Sequence, residues 1–130
     1  MTEVTAAILI KDNKILIARR KATDSQGGKW EFPGGMIKAD ETPRQCLIRE
    51  MKEEFGINVS VGEFLGESTY RYEHGTIRLL AFQTSWIGGQ FTLNAHADFR
   101  WVSPSQLDGF DFSAADIPLV EKVQQSETMG

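Results

Sequence analysis

The chain has 130 residues, enough for one compact domain, and at 41% apolar and 25% charged it has the composition of an ordinary globular protein. Fourteen basic against eighteen acidic residues give a formal charge of −4, which argues against a polyanionic nucleic acid as the main partner. Cys46 is the single cysteine, so no intrachain disulfide can form, as suits a reducing compartment.

The opening MTEVTAAILIKDNK lacks the basic n-region of a signal peptide, and no apolar run approaches the roughly 18–20 residues of a membrane span. The expectation is a cytoplasmic protein, monomer or homodimer, without membrane contact. EVTAAILI and ILIAR, separated by KDNK, read as a β-hairpin. KATDSQGG is a polar loop, KWEF a short strand, and PGG a break. Thr42 as N-cap and Pro43 as first helical residue open a helix that runs to about Phe55 and stops at Gly56. On a helical wheel Leu47, Ile48, Met51 and Phe55 span one arc, and Glu50, Glu53 and Glu54 a separate one. INVSVG, EFLGESTYRY and IRLLAFQTSW then read as strands, with a turn at EHGT and a break at IGGQ. FTL and FRWV are short strands, SPSQL a helical turn from Ser103, and DIPLVEKVQQ a short amphipathic helix with a fraying tail at 126–130. Strands on either side of a central helix predict one α/β domain over 1–130, a mixed sheet packed between helices.

The stretch REMKEEFG is poor helix design. Glu50, Glu53 and Glu54 stand at i, i+3 and i+4, where like charges cost roughly 0.2–0.5 kcal/mol per pair. A bound cation removes that repulsion. Carboxylate oxygens on a rigid helix suit Mg²⁺, a hard cation that favours oxygen ligands and keeps several waters. Glycines 34 and 35 allow a tight turn that frees carbonyls for ligation. A metal there neutralises phosphate and acidifies bound water, and a carboxylate outside its coordination shell can take the proton. Arg49 offers a planar fork to hold the carboxylates, and Glu41 lies near the helix N-terminus, where the dipole favours an anion.

Gly35 to Ile57, GMIKADETPRQCLIREMKEEFGI, fits G-x5-E-x7-R-E-U-x-E-E-x-G-U, with U a bulky apolar residue, at all nine fixed positions: Gly35, Glu41, Arg49, Glu50, Met51, Glu53, Glu54, Gly56 and Ile57. This resembles the Nudix box. The ARR before the loop and KWEFPGG leading into the box look like the MutT-type branch, and ADIPLVEKV looks like the CTP pyrophosphohydrolase-like members. The resemblance implies an α/β/α sandwich and cleavage of a nucleoside diphosphate linked to another moiety, with Mg²⁺ or Mn²⁺. It implies Glu50 and Glu54 as metal ligands, Glu53 as ligand or base, and a carbonyl from Gly34 or Gly35. Arg20 would contact phosphate, Phe32 would stack on the base or wall its pocket, and Val4 would line that pocket. Asp116 aligns with an asparagine of MutT that reads an oxidised guanine. An ionised aspartate offers acceptors only, which suits an exocyclic amine such as that of cytosine. Asp116 is also a good N-cap with Pro118 in the first turn.

Two departures stand out. Met36 replaces a lysine that usually follows the box glycine, so Met36 lines the phosphate side without its charge. Ala95 precedes His96 where many relatives carry an accessory glutamate, and Asp98 has a different spacing. The general base then comes from the box, as Glu53 or Glu50. His96 reads as structural and His74 as a solvated turn residue. Tyr70 and Arg71 alternate along a strand, and Tyr70 is the one expected to face the pocket. Cys46 has no partner to activate it as a nucleophile. The implied activity is Mg²⁺-dependent hydrolysis of nucleoside triphosphates to monophosphate and pyrophosphate, on oxidised (8-oxo-dGTP-like) or CTP-like nucleotides. The alternatives are a hydrolase of dinucleotides or sugar nucleotides, with Tyr72 as a loose indicator, and a regulator that binds nucleotide without catalysis.

Overall fold

A computed structural model describes the backbone of residues 1–129 and the side chains of residues 1–125. The hairpin forms: β1 (Thr2–Lys11) and β2 (Lys14–Arg19) turn through Asp12 and Asn13, at φ of 53° and 63°. Short polar side chains tolerate that left-handed conformation. The two strands pair only at Ile10–Ile15 and Lys11–Lys14 and then splay. Residues 33–37 run into the opening beside β1. Thr5 N–H donates to Gly35 O at 2.8 Å, Ala7 N–H to Pro33 O at 2.7 Å, and Ile37 N–H to Glu3 O at 3.0 Å. The glycine segment is therefore held as firmly as a strand.

β3 (Trp30–Glu31) and β6 (Asp98–Val102) both pair antiparallel with β2. β5 (Gly75–Gly89) runs parallel to β1, from Thr2–Ile77 to Leu9–Thr84, and antiparallel to β4 (Ile57–Tyr72). The result is a six-stranded mixed sheet in the order β3-β2-β1-β5-β4, with β6 also on β2. Alternate residues of β1 and β2 feed two cores. Ala7, Leu9, Leu16 and Ala18 meet Leu47, Met51 and Phe55 of α1 (Pro43–Phe55). Ala6, Ile8, Ile15 and Ile17 meet Leu119, Val120 and Val123 of α2 (Ile117–Met129). Burial on both faces is why these strands read as unbroken apolar runs. The expected sandwich of a mixed sheet between helices is what forms.

α1 begins as expected. Thr42 Oγ1 accepts Gln45 N–H at 3.1 Å, and Gln45 Oε1 accepts Thr42 N–H at 2.9 Å, a reciprocal capping box. Gly56, at φ 70°, ends it. Its faces differ from the wheel reading. Ile48 is 46% exposed, and Cys46 takes the buried place beside Leu47. The glutamates do not share one outward arc either. At about 100° per residue Glu54 falls between Leu47 and Glu50, so it points inward.

Three further expectations change. INVSVG and EFLGESTYRY form one strand, β4, bent by register shifts near Val59, Phe64 and Gly66. β5 continues through the two glycines expected to break it. Residues 91–93 form no strand. Thr92 N–H instead donates to Phe55 O at 2.8 Å and Asn94 N–H to Glu54 O at 3.0 Å, which satisfies carbonyls left open at the end of α1. The helical turn after Ser103 is the 3-10 helix Pro104–Gly109. α2 continues into the segment expected to fray, and residue 130 lies outside the described residues.

Candidate active site

A cavity of about 620 Å³ opens beside the splay of β1 and β2. Its α1 wall carries Gly34, Gly35, Glu50 and Glu54, and its α2 wall carries Phe32, Tyr72, Leu79, Ser113 and Asp116. Val4 and Met36, an isolated bridge pair, also line it, as does Arg20.

Arg49 organises the box. Its Nη1 donates to Glu50 Oε1 at 2.6 Å and Glu53 Oε2 at 3.2 Å, and its Nη2 and Nε grip Glu41 at 2.5 and 3.0 Å. Nη2 also donates to Met36 O at 3.1 Å. The guanidinium holds the Glu41 carboxyl down to about 2. Gly35 has no side chain because a Cβ there would collide with the Glu50 carboxyl, and a Cβ on Gly34 would collide with Thr5 O. Glu54 is different in kind. Burial, then the charges of Glu31 and Glu50, push its carboxyl up to about 9. Its Oε1 is buried without a hydrogen-bond partner.

Glu31, which the sequence reading passed over, joins the two walls. Arg20 Nη1 donates to its Oε1 at 2.9 Å, and His96 Nε2 stands 2.8 Å from its Oε2. Its charge raises both Glu54 and Asp116. The available signal was its place in β3 directly before the glycine segment, next to Phe32. His96 lies flat on Phe55, with ring centroids 5.4 Å apart and planes 8° apart, so it is packed as expected, yet it also faces the cavity. Arg20 Nε is committed to Ser25 O at 2.6 Å, which aims its fork across the mouth.

On the α2 wall Asp116 Oδ1 accepts Phe32 N–H at 3.0 Å. Asp116 closes the short 3-10 turn Ala114–Asp116 ahead of α2, and its side chain looks into the cavity, where the N-cap reading had it serving the helix. Burial first, and then the charge of Glu31, hold its carboxyl well above the usual range. Burial thus favours the protonated form, in which a carboxyl offers a donor as well as an acceptor, where the ionised form offers acceptors only. Phe32 is 3% exposed and belongs to the core while lining the cavity.

Several residues fall elsewhere than expected. Tyr70 is 42% exposed and leans on Tyr72 at a tilt, with centroids 4.7 Å apart; the cavity starts where β4 ends, so only its last residue, Tyr72, reaches it. His74 is exposed as expected but stacks on Tyr72 at the rim, 5.5 Å away. The Glu53 side chain is 55% exposed, outside the cavity lining. Asp98 pairs with Arg100 at 2.6 Å, also outside that lining. Burial pushes the Cys46 thiol up to about 11, so it is no nucleophile. Gly35 O already accepts Thr5 N–H, with Thr5 Oγ1 at 3.2 Å and Cys46 Sγ at 3.4 Å, so of the two glycine carbonyls Gly34's is the freer one for ligation.

The donor set fits a divalent cation. Asp24, Glu31, Glu50, Glu54 and Asp116 line the cavity beside two side-chain cations, Arg20 and Lys21, a lining rich in the oxygen donors a hard cation takes. The unpartnered Glu54 oxygen supplies a hard ligand. Among the described residues no three His, Cys, Asp or Glu side chains stand in ligating geometry as placed.

Residues 1–123 match the NUDIX domain model. The chain is 40% identical over 121 residues to the CTP pyrophosphohydrolase of Escherichia coli K12, covering 93% of this chain and 90% of that one. It is 31% identical over 116 residues to the 8-oxo-dGTP diphosphatase of the same strain, covering 88% and 89%. The solution structure of the E. coli ORF135 protein superposes with a TM-score of 0.88 at 37% identity, covering 99% of this chain and 92% of that one. A MutT protein from Methanosarcina mazei Go1 shares the fold, with a TM-score of 0.86 at 22% identity and coverage of 99% and 96%.

Proposed function

The chain belongs to the NUDIX family, and from that premise we propose that it hydrolyses nucleoside triphosphates to monophosphate and pyrophosphate with Mg²⁺ at the box, in the cytoplasm. The observation that carries this reading is the two-walled cavity. The α1 wall holds buried and turnable carboxyls, and the α2 wall holds a buried neutral acid beside aromatic rings.

Glu54, whose Oε1 is unpartnered, and the Gly34 carbonyl would hold the cation, with Glu50 outside its coordination shell. A cation there would neutralise phosphate charge and lower the pKa of its water. Arg20, aimed across the mouth by Ser25 and Glu31, binds the phosphate chain. Glu50 is the proton acceptor of choice between the two box candidates, because it lines the cavity and Glu53 does not. Arg49 positions both. The base enters the α2 wall against Phe32 and Tyr72, and Asp116 meets its polar edge.

The substrate base is read from the relatives and from Asp116 together. The names of the two E. coli relatives point to CTP and 8-oxo-dGTP. A neutral Asp116 presents the donor-plus-acceptor pair of an amide, which admits a keto-bearing purine as readily as cytosine. The test is a panel of standard and oxidised nucleotides with Mg²⁺ or Mn²⁺, with products identified. Monophosphate and pyrophosphate are expected. Release of neither from any triphosphate overturns the proposal, and two mononucleotide-type products from dinucleotides alone would move it to the dinucleotide reading.

A further inference from the structure

Among the described residues three buried side-chain atoms have no hydrogen-bond partner: Glu54 Oε1, His96 Nδ1 and Ser113 Oγ. All three residues line the same cavity. Glu54 is accounted for by the proposed cation, and His96 is already engaged through Nε2 with Glu31 although its Nδ1 stays unpartnered, whereas Ser113 has no role in anything described so far.

Ser113 is 4% exposed, and its backbone is held at both ends. Its N–H donates to Trp30 O at 2.9 Å, and its carbonyl accepts Asp116 N–H at 2.9 Å. A hydroxyl buried for structural reasons normally finds a backbone acceptor, as Thr84 Oγ1 does with Phe82 O at 3.0 Å and Thr5 Oγ1 with Gly35 O at 3.2 Å. Ser113 has a donor and acceptor fixed in place, three residues from Asp116 and on the same wall, with the demand unmet by protein. A polar atom of the ligand is the partner that such a position fits.

We propose that Ser113 is a specificity-determining residue whose hydroxyl hydrogen-bonds the ring edge of the substrate's base beside Asp116. This rests on the reading that the base occupies the α2 wall. Two polar contacts from one short segment fix the ring's rotation in its own plane, which one contact cannot do. The hydroxyl can donate or accept, so it serves any base with a polar atom at that point, and it penalises a base that offers C–H there.

The full chain and its Ser113→Ala variant are compared in three measurements. These are calorimetric titration with the monophosphate of the best substrate without divalent metal, kcat and KM on the best and second-best nucleotides, and melting temperature. The variant should bind the monophosphate about tenfold more weakly and raise KM with little change in kcat. It should also narrow the preference between the two nucleotides, with no fall in melting temperature, because the hydroxyl removed has no protein partner. Wild-type activity with unchanged affinity and preference in the variant overturns the Ser113 assignment alone. So does a marked drop in melting temperature with preference intact. A wild type that neither binds nor hydrolyses any nucleotide overturns the functional reading along with it.

Discussion

The two walls of the cavity are built in opposite ways. The α1 wall comes mostly from one stretch, in which α1 carries Glu50 and Glu54 at helical spacing and Gly34 and Gly35 lie just upstream. The α2 wall is gathered from Phe32, Tyr72, Leu79, Ser113 and Asp116, which the strand order brings together from across the chain. The first carries charge that binding can rearrange. The second carries buried, nearly immobile groups. The proposed function puts the chemistry common to many substrates on the local wall and the discrimination among them on the assembled one.

That division breaks or holds in three experiments. The largest effect is expected from Glu54→Gln. Losing a cation ligand forfeits several kcal/mol of charge stabilisation, so kcat should fall about a thousandfold. It should fall alike on every nucleotide, and a steady-state series that showed altered base preference would erase the distinction between the walls. Asp116→Asn should act the other way. An amide mimics the neutral acid, so kcat/KM should stay within about tenfold of wild type. Its pH behaviour is sharper. The unfolded aspartate loses its proton near 3.8, whereas the folded one keeps it to a much higher pH. Above 3.8 the folded chain binds the extra proton, so this group's contribution to stability falls as pH rises and is steady below. Melting curves of the metal-free proteins from about pH 4 to 8 should therefore show a shallower decline for the asparagine variant. Parallel curves would mean that Asp116 is ionised. The smallest effect belongs to Tyr72→Phe. Tyr72 OH accepts Ala115 N–H at 2.9 Å, and its loss should cost about 1 kcal/mol in urea unfolding while the base preference shifts slightly. No change in either would detach Tyr72 from the α2 wall.

The same contrast explains what the sequence made legible. Thr42, Pro43 and Gly56 bounded α1 because caps act within a few residues, and Arg49 and Glu50 were readable because they sit on that one helix, with Glu41 just ahead of its N-cap. Ile48 and Glu54 were misplaced because a wheel gives angles between residues but not which way the helix rolls onto the sheet. Tyr70 was chosen over Arg71 because alternation ranks the faces of a strand but not where a cavity begins along it, and Tyr72 of the same face is the residue that lines it. Glu31 and Ser113 went unmarked for a further reason. Each becomes notable only through a neighbour distant in sequence, His96 for one and Trp30 for the other. The raised carboxyl of Asp116 follows from burial, which no residue pattern in that segment announces.

Arg49 has a consequence for how the protein lives with its metal. The acidic helix carries its own counter-charge, a guanidinium touching Glu41, Glu50 and Glu53 at once. The acidic helix is thus balanced within the protein, and an ion arriving at the box would meet an internal rival for Glu50 and Glu53 rather than an unpaired acidic face.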